Sequence, residues 1–129
     1  MQISDPRPDV LGEPWVSRDI PVRPNKNSPD MDHAVLVHQH NAATRADGAP
    51  LPRAVLYLPG LADYFFQKDH AQAWIDADVE FYGLDQRGQG RASAHLAEPE
   101  NLRDLRLRNE EIRRAMHFLR QTGHTHIPL

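Results

Sequence analysis

The fold is decided by residues 54–60 and 79–85, which read Ala-Val-Leu-Tyr-Leu-Pro-Gly and Val-Glu-Phe-Tyr-Gly-Leu-Asp. The first segment is a continuous apolar run that stops at a proline and a glycine, which is typical of a strand buried on both faces of a parallel sheet. We therefore expect it to be a central strand. Between the two segments, helical spacing predicts a helix over residues 66–77 with one apolar face, formed by Phe66, His70, Ala73, Trp74 and Ala77. The whole stretch predicts a β-α-β unit, and with it an α/β fold with a parallel part to its sheet.

The segment before this unit is rich in proline. Six of the eleven prolines lie within the first 30 residues, so residues 1–32 are expected to form an extended arm. Within the arm, Trp15–Ile20 is predicted to be an edge strand, and residues 34–40 are predicted to be the next strand. The expected organisation is this arm followed by a partial α/β domain over residues 33–129, with antiparallel strands first and parallel β-α-β units after them.

A second helix is predicted after the β-α-β unit. It is expected to begin near Asn101 as the N-cap and to end at Gly123, a residue type that favours the C′ position. Four apolar residues share one side of this helix and are expected to pack on the sheet: Leu105, Ile112, Met116 and Leu119. Four charged residues are expected to point away from it: Arg103, Arg106, Glu110 and Arg114. Residues 126–129 are expected to open a further strand.

The composition excludes several classes of protein. The chain has 129 residues and 14.7 kDa, which suits one domain, and its net charge of −3 offers no general attraction for nucleic acid or an acidic membrane. It has no cysteine, which excludes a disulfide framework, a thiolate metal site and a cysteine nucleophile. No signal-peptide pattern is present, and no apolar run approaches the roughly 18 residues of a membrane span. We expect a cytoplasmic protein without a cofactor.

Two loops are candidates for a functional site, because ligands of α/β sheets bind at the carboxyl ends of the strands. After residue 58, Gly60 lets the backbone approach a ligand and leaves the next amide free to donate to an oxyanion. After residue 84, Asp85 and Arg87 can pair or bond nearby amides in a tight turn, and we expect them to brace the loop rather than to act as catalysts. The residues expected to shape the two loops are Pro59, Gly60, Asp85, Arg87, Gly88 and Gly90.

These two loops carry a resemblance to a known family. The quoted patterns are Pro59-Gly60-Leu61 after the first strand, Asp63-Tyr64-Phe65-Phe66-Gln67, and Asp85-x-Arg87-Gly88-x-Gly90-Arg91 after the second strand. Together they resemble the serine-type α/β hydrolases of the monoacylglycerol lipase, lysophospholipase and serine aminopeptidase group, over roughly residues 53–129. Two positions depart from the family pattern: Pro59 stands where histidine is customary, and Ala92 stands where a serine is common, with Ser93 one place later.

The resemblance implies a role for particular residues. The amide of Leu61 would form half of the oxyanion hole, as the loop after the first central strand does in this fold. Tyr64 and Phe65 are candidates for an acyl pocket, although an aromatic cluster that opens a helix also suits packing against the sheet.

The nucleophile of that family has no counterpart in this sequence. No Gly-x-Ser-x-Gly occurs in the 129 residues, and the strand that would lead to it begins at residue 126. The chain is therefore expected to be the amino-terminal part of a hydrolase that cleaves carboxylic esters or short peptides, inactive alone. The alternative is a non-catalytic interaction module whose exposed sheet edge is covered by a partner or by a second copy.

Other patterns have common structural explanations. His38 and His40 share a strand face, with His33 or His70 as conceivable third metal ligands, but we favour a polar strand face. Residues 124–126, which read His-Thr-His, are expected to form a surface loop. The glycines at positions 88 and 90 lack the third glycine of a dinucleotide fingerprint. Acids interleave with the arginines of residues 101–122, which favours a solvated face over nucleic-acid contact.

Overall fold

The protein contains a mixed five-stranded sheet and two α-helices, an α+β arrangement. A computed structural model describes residues 2–24, 32–39, 52–59, 68–87, 90–93, 109–125 and 127. The strands are β1 (Arg7–Pro8), β2 (Trp15–Pro21), β3 (His33–Gln39), β4 (Ala54–Tyr57) and β5 (Glu80–Asp85). The helices are α1 (Lys68–Asp76) and α2 (Asn109–Thr122), and a short 3₁₀ helix spans Gly90–Ser93.

The strands lie in the order β1-β2-β3-β5-β4. Strand β2 pairs antiparallel with β3 over its whole length, from Trp15 opposite Gln39 to Pro21 opposite His33. Strand β3 pairs antiparallel with β5, whereas β4 pairs parallel with β5 and places Val55 opposite Phe81. The three strands predicted at 15–20, 34–40 and 54–58 correspond to β2, β3 and β4, and the predicted β-α-β unit corresponds to β4-α1-β5.

Two expectations about strand position are wrong for the sheet that the described residues form. Strand β4 is the last strand in the order rather than a central one, and β2 is not at the edge because β1 pairs with its outer side. An apolar run indicates that both faces of a strand are covered, but it does not indicate whether further strands pair with it on both sides. Ala54, Val55 and Leu56 are indeed all buried. The prolines of the arm also permit β1, since a two-residue strand makes few ladder hydrogen bonds.

Both faces of the sheet are covered, because side chains alternate along each strand. The apolar cluster on the α1 face consists of Trp15, Val35, Val37, Val55, Ala71, Val79, Phe81 and Ala92. The cluster on the α2 face consists of Ile20, Ala34, Leu36, Ala54, Leu56, Tyr82, Leu84, Ala115 and Leu119. The arm therefore contributes to the core on both faces, through Trp15 on one and Ile20 on the other.

Helix α1 buries a different face from the one predicted. Ala71 is fully buried and Ile75 packs against the same cluster, whereas Trp74 is 37% exposed and His70 and Ala73 are exposed. The helix has apolar residues on two sides, so its periodicity alone selects neither. The small side chain of Ala71 lets α1 lie close to the sheet, while the Trp74 ring stacks on His70 at its outer side.

Helix α2 agrees with the prediction on its apolar side but not at Glu110, which was expected to point away and instead contacts the buried Arg87 guanidinium at 3.3 Å. Three other residues of that prediction lie outside the described ranges: Arg103, Leu105 and Arg106. Ile112, Met116 and Leu119 pack on the sheet as expected, and Gly123 follows the helix with a φ of 116°, which favours glycine. The expected start near Asn101 and the expected strand over residues 126–129 lie outside the described residues, apart from position 127, which is in no strand. Within the described ranges, neither helix has the length and apolar character needed to cross a bilayer.

Candidate functional site

The candidate site lies at the carboxyl ends of β4 and β5, which run parallel and so end at the same edge of the sheet. Pro59 is buried just beyond β4. The two loops that follow the strands are only partly described. Predicted site residues outside the described ranges are Gly60, Leu61, Tyr64, Phe65 and Gly88, and of Gly90 only the backbone is described, at the start of the 3₁₀ helix.

Asp85, the last residue of β5, binds Arg91 in the turn that follows. Its carboxylate accepts hydrogen bonds from the backbone N–H of Arg91, at 3.0 Å, and from its guanidinium, at 2.8 Å. The Asp85 side chain is fully buried, and that of Arg91 is 11% exposed. One carboxylate thus joins the end of β5 to the backbone of the 3₁₀ helix.

The same guanidinium binds a second carboxylate, that of Asp9 in the arm. The Nε and one terminal nitrogen of Arg91 donate to the two Asp9 oxygens at 2.7 and 2.9 Å, a bidentate geometry. The Ser17 hydroxyl and the Leu11 backbone N–H also donate to Asp9. Burial alone would raise the pKa of Asp9, but the hydrogen bonds from Arg91, Ser17 and the Leu11 N–H, together with the Arg91 charge, outweigh burial and hold the pKa below its ordinary value.

Arg87 forms a separate buried network with helix α2. Its guanidinium and its backbone N–H both donate to Glu111, the latter at 2.8 Å, and the two side chains are 1% and 0% exposed. A further guanidinium nitrogen donates to the backbone carbonyl of Arg23 at 3.0 Å. Glu110 completes the network by bridging Arg87 and Arg114.

Asp85 and Arg87 therefore brace the loop, but not as the pair that the sequence suggested. Each binds a different partner, because two residues separated by one position in a turn point to different sides of it. The two carboxylates that hold the arginines of this loop, Glu111 at Arg87 and Asp9 at Arg91, were both missed in the sequence analysis. For Glu111 a signal exists, since it lies four residues before Ala115 and eight before Leu119, on the buried stripe of α2. For Asp9 no local signal exists.

Three polar side chains meet in a second cluster, at the amino end of β5. The Nε2 of His124 lies 2.9 Å from the Tyr82 hydroxyl and 2.8 Å from a Glu80 carboxylate oxygen. Residue 124 was expected in a surface loop, yet His124 is 2% exposed, because the turn at Gly123 directs the chain back over β5. Burial, followed by the nearby Glu80 charge, raises the pKa of Tyr82 far above its ordinary value. The Tyr82 phenol is therefore neutral and forms its hydrogen bond with His124 inside the core.

The histidines considered as metal ligands lie apart or have other partners. His38 Nε2 accepts a hydrogen bond from the Arg18 guanidinium at 3.1 Å, and His33 contacts Asp32. His70 is exposed on α1, and position 40 lies outside the described residues. Across the part of the chain that the structure describes, no three acidic or histidine side chains converge on a common point.

In the described part of the site, the charged side chains after β5 are engaged in ion pairs. The side chains of Asp85, Arg87 and Arg91 have little exposure and are held in ion pairs, which suits them to hold the backbone in place. Ala92, at a position where the resembling family has serine, is packed in the α1-face core. Comparison of the chain with family models, with curated proteins and with solved structures gives no match.

Proposed function

We propose that this chain is the amino-terminal part of a serine-type α/β hydrolase that cleaves carboxylic esters or short peptides by acyl transfer. In this proposal the loop after β4 supplies the Leu61 amide to the oxyanion hole, and the loop after β5 forms the adjacent wall of the site. The observation that carries the proposal is the double anchoring of the loop after β5, through Asp85 to Arg91 and through Arg87 to Glu111.

The energetics of buried charges indicate that this anchoring does more than stabilise the fold. Replacing a buried ion pair by apolar residues of similar volume is often neutral or stabilising, so such pairs are poor stabilisers compared with a well-packed core. What they supply is one defined geometry. Two separate pairs are buried at the edge where parallel strands present ligands, and a preorganised binding loop needs that kind of support.

The strand arrangement is a second support. Antiparallel strands come first in the chain, and a parallel β-α-β unit follows, which is the arrangement that the resemblance implies for the amino-terminal part of the hydrolase sheet. The parallel unit brings the carboxyl ends of β4 and β5 to one edge of the sheet, the edge at which the proposal requires the Leu61 amide.

The chemistry assigned to this chain is limited to oxyanion binding. In acyl transfer, the oxygen of a serine attacks the carbonyl carbon, a histidine takes the serine proton, and the carbonyl oxygen becomes an anion until the bond to the leaving group breaks. The Leu61 N–H would donate to that anion. The serine and its base would come from sequence beyond the 129 residues, since none of the four serines here lies in a Gly-x-Ser-x-Gly motif.

The first test is to read the coding region after residue 129 and to measure the size of the protein in cells by immunoblot. We expect a Gly-x-Ser-x-Gly motif within about fifteen codons, the length of one strand and its loop. We also expect the 129-residue chain alone to leave p-nitrophenyl butyrate intact and to escape labelling by a fluorophosphonate probe. A coding region without the motif, or labelling of a serine in this chain, would refute the proposal, and the former would favour the non-catalytic interaction module.

The second test uses the protein that contains the motif and compares two substitutions at one position. Leu61→Pro removes the backbone N–H, whereas the matched control Leu61→Ala keeps it. Loss of one oxyanion donor lowers kcat by about 10²–10³-fold, and we expect that loss for the proline variant only. Equal activities in the two variants, with both folded by circular dichroism, would exclude the Leu61 amide as the donor.

A further inference from the structure

The arm of residues 2–24 is attached to the loop after β5 at two points. The Asp9 carboxylate binds the Arg91 guanidinium, and the Arg23 carbonyl accepts a hydrogen bond from Arg87. Asp9 and Arg91 are 82 positions apart in the chain. An arm that served only to cover the sheet would need apolar contacts, which Trp15 and Ile20 already provide.

Asp9 is itself held firmly, so that it can act as a fixed point. Ser17 in β2 donates its hydroxyl to one carboxylate oxygen, and the Leu11 N–H donates to the other at 3.1 Å. The side chain of Asp9 is 2% exposed, which removes most of the solvent screening from its ion pair with Arg91. A guanidinium that bridges two buried carboxylates has few alternative positions, because its planar fork matches both at once.

We propose that Asp9 is a positioning residue for the loop after β5: through the Arg91 guanidinium it holds the Arg91 backbone against Asp85, at the edge where the substrate would bind. The inference rests on the proposed function, because that function places the substrate at this edge. Asp9 touches neither the substrate nor the oxyanion, and its effect passes through the Arg91 guanidinium to the turn between Asp85 and the 3₁₀ helix.

The chain offers a matched control within the same arm. Asp19 also pairs with an arginine, Arg7, at 2.8 Å, but the two side chains are 41% and 47% exposed, and neither has a hydrogen bond or ion pair with the described residues after β5. Asp19→Asn therefore removes the same chemical group from the same arm. A general effect of lost charge on the arm would appear in both variants, whereas positioning of the loop would appear only in Asp9→Asn.

The test is amide hydrogen exchange of the 129-residue chain, measured by NMR at single residues. The Arg91 N–H donates to Asp85 at 3.0 Å and the Arg87 N–H donates to Glu111 at 2.8 Å, so the two amides report on the two anchors separately. For Asp9→Asn we expect exchange at Arg91 to accelerate at least about tenfold, with no change at Arg87. For Asp19→Asn we expect no change at either amide.

Ser17→Ala provides a second variant that retains every charge. It removes one hydrogen bond to the Asp9 carboxylate, and we expect a smaller acceleration at Arg91, with exchange at Arg87 unchanged. If Asp9→Asn fails to fold, this variant decides the question. Unchanged exchange at Arg91, or equal acceleration at Arg91, Arg87 and the central amides of β3, would overturn the inference, since Asp9 would then contribute only to overall stability.

The exchange experiment requires no catalysis, so its outcome is independent of the coding-region test. If exchange at Arg91 accelerates in Asp9→Asn but the gene has no serine motif, the hydrolase proposal is refuted and the role of Asp9 in anchoring the loop is kept. If exchange at Arg91 stays unchanged and the gene has the motif, only the role of Asp9 is refuted.

Discussion

Replacing Arg87 by methionine should destabilise this protein more than the loss of any one exposed ion pair. Arg87 is 1% exposed, and its guanidinium binds the Glu111 carboxylate, which has no exposure at all. In Arg87→Met the side-chain volume is largely kept, but Glu111 retains only the bond from the backbone N–H of residue 87. Removing one partner of a buried pair costs about 3–5 kcal/mol, a large share of the roughly 5–15 kcal/mol that stabilises a typical domain. We expect the Tm to fall by about 10–20 °C, measured by calorimetry together with urea denaturation.

Two further variants make this reasoning refutable. Arg114 also binds Glu110 in the same network, but its side chain is 32% exposed, so Arg114→Met should cost less than about 1 kcal/mol. The double variant Arg87→Met with Glu111→Gln should be more stable than Arg87→Met alone, because it removes the unpaired buried charge and keeps an oxygen for the N–H of residue 87. Equal costs for the two arginines, or no recovery in the double variant, would show that the pair is not the buried unit described here.

Three other predictions follow from the same contacts. Tyr82→Phe should cost about 0.5–1.5 kcal/mol in urea denaturation, since it removes a buried hydrogen bond with His124. The raised pKa of Tyr82 makes the stability of the wild type fall as the pH rises above the ordinary tyrosine value, so the variant should lose less stability in alkali. Because the pKa of Asp9 is lowered in the folded protein, its carboxylate stabilises the fold at pH values above the ordinary carboxyl pKa, and this stability is lost as the pH falls through the folded pKa. Asp9→Asn should therefore show a shallower loss of stability between pH ~5 and ~2, measured from the midpoints of urea denaturation. Ala71→Leu should lower the free energy of unfolding by about 1–3 kcal/mol, because it overpacks the buried side of α1, whereas Trp74→Ala should lower it by less than about 1 kcal/mol. The reverse order of the two costs would show that α1 buries the side first predicted.

The strands and the course of helix α2 could be predicted because their signals are local. Alternation and apolar runs located β2, β3, β4 and β5 to within a residue or two. The stripe that includes Ile112 and Leu119 correctly identified the buried side of α2, since only one side of that helix is apolar. For α1 the same argument failed, because apolar residues occupy two sides and the choice depends on which of them fits against β5.

The candidate site could be predicted only in part. The pattern around Asp85 and Arg87 indicated a braced loop at the end of a strand, and bracing is what the structure has there. The assignment of the Leu61 amide to an oxyanion hole stays a prediction, because residues 60–67 are outside the described ranges. A histidine predicted at the surface was the clearest error, since the turn that buries His124 over Tyr82 depends on where α2 ends relative to β5.

By itself, the sequence determined the types and the order of the elements, because backbone preference and apolar period act over a few neighbouring residues. The partners of the buried charges were decided only by the tertiary structure. Asp9 and Arg91 are separated by 82 positions, Tyr82 and His124 by 42, and Arg87 and Glu111 by 24. A charged residue attracts any opposite charge, and only the folded chain, by excluding water and bringing one partner within hydrogen-bond distance, makes a single pairing favourable.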